Sequence, residues 1–300
     1  MNYKSFIELL NENSIKFDCN KPLSEMTTFK TGGPADLVAY PDSSIAVKSI
    51  ISFLKSENIP YYVLGRGSNV LALDDGYRGV IISTELLNGI NLTDDNKIEV
   101  YCGASLTKLC KFALDNSLSG LEFAYGIPGS VGGAVYMNAG AYGGEIKDVI
   151  ENCTYLTSDG DIITKSSSDL DLGYRHSFFT DSDFFILSAS FTLKKADKNE
   201  IKAKMDELIG KRKDKQPLEF PSAGSTFKRP TGYYAGALIE ECGLKGFSVG
   251  GAAVSEKHAG FVINRGNATS ADILYVIEHC RNVVFESKNV RLETEVKLLK

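Results

Sequence analysis

A chain of 300 residues exceeds what one hydrophobic core usually organises, so two or three packed domains are expected. With 43% hydrophobic and 24% charged residues the composition is that of an ordinary globular protein, which excludes intrinsic disorder and collagen-like repeats. The net charge of -5, spread without long blocks of one sign, argues against a nucleic-acid partner, and no apolar run reaches the roughly 18 residues that a membrane span needs.

The opening segment, MNYKSFIELLNENS, is polar and amphipathic where a signal peptide would be continuously apolar, so a cytoplasmic location is expected. Ile45, Ile50, Ile51 and Leu54 recur at roughly helical spacing behind the cap candidates Asp42, Ser43 and Ser44, and predict a helix that stops before Pro60. Residues 61–64, 79–83 and 97–101 read as strands, and 106–114 as a helix. A Ser158-Asp159-Gly160 turn between TYL and DIIT predicts a hairpin, and 184–193 gives another strand. Lys and Glu then become dense over 196–216, where the main domain boundary is placed. Beyond it the pattern predicts a helix near 235–242, strands near 252–254 and 260–264, a long helix over 270–285 and a last strand over 290–298. In that strand Val290, Leu292, Thr294, Val296 and Leu298 would share one face, and Arg291, Glu293, Glu295 and Lys297 the other.

The six cysteines are far apart and no C-x-x-C occurs, so buried reduced thiols are the expected state of most of them. Three scattered histidines offer no metal-ligand spacing, and no metal is expected. Glycine clusters in two places, Gly65-Arg66-Gly67-Ser68-Asn69 and the stretch from Gly126 to Gly144, which holds seven glycines. Backbone without side chains can approach a diphosphate closely, so both loops suit a nucleotide. A dinucleotide-fold reading of Gly65-x-Gly67 fails because the following VLALDDGYRGVIIS carries no amphipathic helix for the pyrophosphate, and no P-loop is present.

The strings TTFKTGGPADLVAYP, VLGRGSNVL, GIPGSVGGAVYMNAGAYGGEI, GYRHSFF, PSAGSTFKRP, KHAGFVIN and LETEV, in that order, resemble the UDP-N-acetylenolpyruvoylglucosamine reductase family. The resemblance runs from Thr27 to Val296 and implies an α+β fold: a vanillyl-alcohol-oxidase-type FAD-binding domain of two subdomains, 1–83 and 84–196, and a substrate-binding domain over 197–300 whose last strand returns toward the active site. It also implies that an enolpyruvyl ether of UDP-N-acetylglucosamine is reduced to UDP-N-acetylmuramate for peptidoglycan synthesis, with NADPH as hydride donor and FAD as carrier. By position, the implied cofactor contacts are Gly65, Arg66, Gly67, Ser68 and Asn69, then Gly126, Pro128, Gly129, Ser130, Gly132, Gly133 and Asn138. No histidine precedes His176, so FAD is expected without a covalent bond, with Cys102 the one thiol weighed against that.

The chemistry implied by the resemblance needs a cation at the substrate carboxylate, a proton donor to the neighbouring carbon, and a group that orients them. Arg175 matches the cation, and its planar guanidinium can grip a carboxylate bidentately. Ser225 matches the proton donor, and because a hydroxyl is a feeble acid it requires a neighbour that eases proton release. Glu295 matches a glutamate that polarises the donor or hydrogen-bonds the intermediate. Alternation alone puts it on a solvated face beside its competitor Glu293, and only the family position before Val296 selects it. Tyr174, Lys215, Gln216 and Arg229 are the substrate-contact candidates. Lys211, Arg212 and Lys213 read instead as a solvated helix end, and His258 as a loop-orienting or packed histidine. Arg175 and Ser225 lie 50 positions apart, too close for the extra tyrosine-bearing loop of the longer family branch, so the shorter branch is assigned and Arg229 is the first candidate for the substrate diphosphate. A sugar or hydroxy-acid oxidase of the same fold, and a flavin-binding module without turnover, stay open beside the reductase. The oligomeric state is not legible.

Overall fold

The computed structural model of the chain describes residues 3–300, with the mixture of helices and mostly antiparallel strands that defines the α+β class. Two compact units form, one from the residues up to Asp18 with Val38–Arg66 and Val80–Arg212, the other from Cys19–Leu37, Gly67–Gly79 and Lys213–Lys300. The divisions fall inside strands Lys16–Pro22, Pro34–Tyr40 and Tyr77–Ser83 and near the end of helix Lys198–Lys215. The units thus partition the chain differently from the expected segments 1–83, 84–196 and 197–300. The last division, between Arg212 and Lys213, lies inside the charge-dense stretch 196–216.

In the first unit, Ser43 caps helix Ser44–Ser56 by accepting a bond from the Ala46 N–H at 3.3 Å. The buried residues of that helix are Ala46, Val47, Ile50, Ile51 and Leu54. Ile45, expected in the stripe, is 80% exposed because a spacing of five positions from Ile50 turns it away from that face. Strand Tyr61–Leu64 pairs in parallel with 80–83, in register Tyr61↔Val80 through Leu64↔Ser83. A five-stranded antiparallel sheet follows, in the order Ile162–Ser166, Ile150–Leu156, Phe185–Thr192, Lys97–Tyr101, Ile90–Asp94. The predicted hairpin is present: Leu156 pairs with Ile162, and the Thr157 N–H donates to Asp161 O at 2.8 Å.

The second unit is built on a small antiparallel sheet, Ser248–Val249, Ala252–Val254 and Val262–Asn264. Its core joins Phe29, Leu71, Phe227, Leu238 and Ile239 to Ile273, Val276, Ile277 and Val284 of helix Ser270–Lys288. Thr269 and Asp272 form a capping box at the start of that helix, and Asn289 closes it in the left-handed conformation at φ 53°. Strand Lys297–Leu299 pairs in parallel with Val70–Ala72.

The expected strand over 290–298 is corrected here. Only Lys297–Leu299 is regular strand, and the alternation fails because Leu292 and Glu295 are buried while Thr294 and Leu298 are exposed. Contacts with the segment after Ser225 replace a regular ladder: Lys228 N–H donates to Glu293 O and Glu295 N–H to Thr226 O, both at 2.8 Å. All six cysteines are free, with Cys102, Cys110, Cys153 and Cys280 buried.

Candidate active site

Strand Val70–Ala72, not a helix, follows the first glycine loop, as its sequence requires. Gly67 has φ +60°, and a Cβ there would run into the backbone of Met26 and Thr27, while its carbonyl accepts the Thr28 N–H at 3.1 Å. The segment 26–28 therefore lies beneath this loop. A Cβ at Gly65 would be driven into the hydroxyl of Ser130, so in the first unit the two glycine loops meet.

Ser130 is itself buried, and its hydroxyl accepts the Gly133 N–H at 3.3 Å, capping helix Val131–Tyr136. Gly132 donates its N–H to Cys102 O at 2.8 Å, and a Cβ on it would sit 2.9 Å from the Cys102 Cβ. Side chains are thus excluded at Gly65, Gly67 and Gly132 by what lies behind each one. Bare backbone held in this way fits an FAD diphosphate. Burial pushes the Cys102 thiol up to about 12, which leaves it a poor nucleophile and fits a flavin held without a covalent bond.

Arg212 corrects the reading of 211–213 as a solvated helix end. It is buried, and its guanidinium carbon lies 5.7 Å from the centre of the Tyr142 ring. Burial pulls its pKa below the ordinary arginine value. The other buried residues of its helix are Ile201, Met205 and Leu208, so Arg212 completes a stripe at helical spacing that the dense charges obscured. It stands beside Gly126, which has φ +87°.

Arg175 occupies a tight turn of the first unit. Gly173 and His176 exchange backbone bonds, Gly173 N–H to His176 O at 3.1 Å and His176 N–H to Gly173 O at 3.3 Å, and Arg175 between them has φ 55°. Its guanidinium carbon lies 5.2 Å from the centre of the exposed Tyr174 ring. His176 pairs with Asp171 at 3.0 Å on the surface.

Asn138 sits below this turn with only 1% of its surface exposed. Its amide N–H groups donate to Glu145 Oε2 at 2.5 Å and to Gly173 O at 2.9 Å, and its Oδ1 accepts the Lys147 N–H at 2.9 Å.

Ser225 and Glu295 belong to the second unit. Gly224, with φ +76°, turns the chain into a segment in which Thr226 donates its N–H to Gly260 O and accepts the Glu295 N–H, each at 2.8 Å. The residue after the serine thus bonds directly to the glutamate's backbone. Glu295 is 8% exposed, whereas the Glu293 side chain is 73% exposed and paired with Lys228 at 3.2 Å, so burial separates the two candidates. Asn69 of the first glycine loop donates its amide to Glu295 O at 3.1 Å and accepts the Lys297 N–H at 2.9 Å. His258 accepts the Gly260 N–H on Nδ1 at 3.1 Å and so orients the turn that backs Thr226; burial pulls its pKa down.

Of the substrate-contact candidates, Tyr174 belongs to the first unit and Lys215, Gln216 and Arg229 to the second. Tyr174 adjoins Arg175, Lys215 is exposed at the last position of its helix, and Gln216 is half-buried just beyond. Arg229 is exposed, with its guanidinium 4.0 Å from the centre of the Tyr234 ring. Among the described residues no helix is long and apolar enough to cross a membrane, and no group of three or more His, Cys, Asp or Glu could hold a metal ion.

A family model described as an FAD binding domain matches residues 35–166, and one described as the C-terminal domain of UDP-N-acetylenolpyruvoylglucosamine reductase matches residues 216–299. The chain is 50% identical over 296 residues to a protein of that name from Clostridium novyi, covering 99% of this chain and 95% of the relative. A second, from Listeria welshimeri, is 50% identical over 285 residues, with 95% and 96% covered. The crystal structure of the UDP-N-acetylenolpyruvylglucosamine reductase of Thermus caldophilus matches with a TM-score of 0.81 at 34% identity, over 95% of this chain and 99% of that one.

Proposed function

The chain belongs to the UDP-N-acetylenolpyruvoylglucosamine reductase family, and from that membership we propose how its own residues divide the work of the reaction. It is an FAD-containing oxidoreductase that reduces the enolpyruvyl ether of UDP-N-acetylglucosamine to UDP-N-acetylmuramate, with NADPH as hydride donor, in peptidoglycan precursor synthesis. We place this work in the cytoplasm. Bound FAD supplies the relay that takes a hydride from the nicotinamide and delivers it to the terminal enolpyruvyl carbon.

At Gly65, Gly67, Gly126 and Gly132 a side chain would be driven into the residues packed behind the loops, so bare backbone is what the loops offer the cofactor diphosphate. Arg175 grips the substrate carboxylate, whose negative charge grows as the neighbouring carbon takes up electrons; a guanidinium keeps its own charge throughout. Ser225 delivers a proton from its Oγ to that carbon. Glu295, buried on the segment bonded to Thr226, polarises this donor or hydrogen-bonds the intermediate. Tyr174, Lys215 and Gln216 line the approach of the substrate, and Arg229 takes its diphosphate.

The observation that carries this reading is the pairing of the Ser225–Thr226 segment with Glu295, which places a weak hydroxyl acid one residue from the backbone partner of a buried carboxylate. The test splits the reaction in two. NADPH added without oxygen should bleach the flavin, and the enolpyruvyl substrate should then restore its colour; recolouring by oxygen alone would favour an oxidase. Ser225→Ala should bleach at nearly the wild-type rate yet recolour about 10²–10⁴-fold more slowly, the range for losing a positioned acid. Equal losses in both halves would remove Ser225 from proton delivery.

A further inference from the structure

We propose that Asn138 is a positioning residue for Arg175, tying the turn that carries the guanidinium to the helix that springs from the second glycine loop. The inference rests on the reading of Arg175 as the carboxylate-binding residue. An asparagine amide has two N–H donors. Here one goes to Glu145 and the other to the Gly173 carbonyl, while Oδ1 accepts from Lys147, all in a site 1% exposed. The amide has no N–H left for a diphosphate, so the presence of Asn138 in the family's glycine-loop motif needs a different reason.

Gly173 O supplies it. That carbonyl accepts two bonds, one from the His176 N–H that closes the turn and one from Asn138. A second tie runs parallel: Ser177, fully buried, donates its hydroxyl to Tyr136 O at 2.7 Å. Both ties end on residues at or just past the end of helix Val131–Tyr136, whose first cap is Ser130. The turn needs them because a non-glycine residue in the left-handed region is uphill by about 1–2 kcal/mol, and such a conformation persists only where its surroundings fix it. Arg175 pays that cost at φ 55°. With the Asn138 bond removed, the turn relaxes and the guanidinium leaves the carboxylate's line.

The experiment is a double-mutant cycle read on separate half-reactions, using wild type, Asn138→Ala, Arg175→Ala and the double variant as FAD-loaded enzymes. Asn138→Ala should keep its flavin and be reduced by NADPH normally, yet pass the hydride to the enolpyruvyl substrate about 10–100-fold more slowly, as expected for a misplaced catalytic group. Its His176 amide should exchange with solvent faster than in wild type. The double variant should be slower than Arg175→Ala by no more than about threefold, because a residue acting through Arg175 has nothing left to position. Multiplying losses, or loss of flavin from Asn138→Ala, would overturn the assignment and leave Arg175's role intact. Wild-type recolouring by Arg175→Ala would instead overturn the carboxylate reading, and the positioning role with it. If Asn138→Ala does not fold, Ser177→Ala in the same cycle decides the matter by the same criteria.

Discussion

Arg175 sits where the backbone would prefer glycine, at φ 55°, and its side chain is the one proposed to grip the substrate carboxylate. Arg175→Gly should therefore be more stable than Arg175→Ala by about 1 kcal/mol, the reverse of the usual order, because only glycine enters the left-handed region without strain. Urea unfolding of the two variants checks this; equal midpoints would mean that the turn is relaxed. Arg175→Lys keeps the charge but loses the planar fork, and should slow recolouring by substrate at least tenfold. At this scale legibility was uneven. The strings around Arg175, Ser225 and Glu295 nominate those residues, but alternation put Glu295 on a solvated face where the structure buries it, because alternation cannot foresee a segment held by Thr226 and Lys228 instead of a regular ladder. Arg212 hid in a run of lysines and glutamates although its spacing from Ile201, Met205 and Leu208 was there to be read. The tie from Asn138 was out of reach, since its partner Gly173 lies 35 positions away.

Among the elements, the contact between the two glycine loops offers the sharpest test. Gly65→Ala should weaken FAD binding by at least tenfold, about 1.4 kcal/mol, because the new methyl meets the Ser130 hydroxyl. Adding Ser130→Gly should restore much of the loss, since it removes the obstructing group and glycine at a helix cap costs only a few tenths of a kcal/mol. Flavin fluorescence titration reads both. No recovery in the double variant would mean that the two loops do not press on each other. Helices with clear caps and stripes, such as Ser44–Ser56 and Ser270–Lys288, were legible to within a few residues, and so was the hairpin around Gly160. What chain order could not supply was adjacency in space: nothing local to Gly65 announces Ser130, and nothing local to Gly67 announces Met26.

For the whole molecule, the buried thiols bear on stability in alkali. Burial pushes Cys102, Cys110 and Cys280 each up to about 12 from the ordinary 9.0. These pKa values are raised on folding, so their contribution is fully present below pH 9 and is lost as pH climbs from there toward 12, where the unfolded chain ionises and the folded one does not. Stability should fall by up to about 1.4 kcal/mol per pH unit for each such thiol. Urea midpoints between pH 8 and 10.5 check the trend, and Cys280→Ala should make it shallower; an unchanged slope would clear that thiol. The patchwork of the second unit has a further consequence, for biosynthesis. Its core unites Phe29 and Leu71 with Val276 and Val284, so the nascent segments around residues 29 and 71 must wait, apolar and uncovered, while some two hundred more residues leave the ribosome. All of the first unit has been translated by then. Folding in the cell is accordingly staged, and this interval is when a holding chaperone has most to protect.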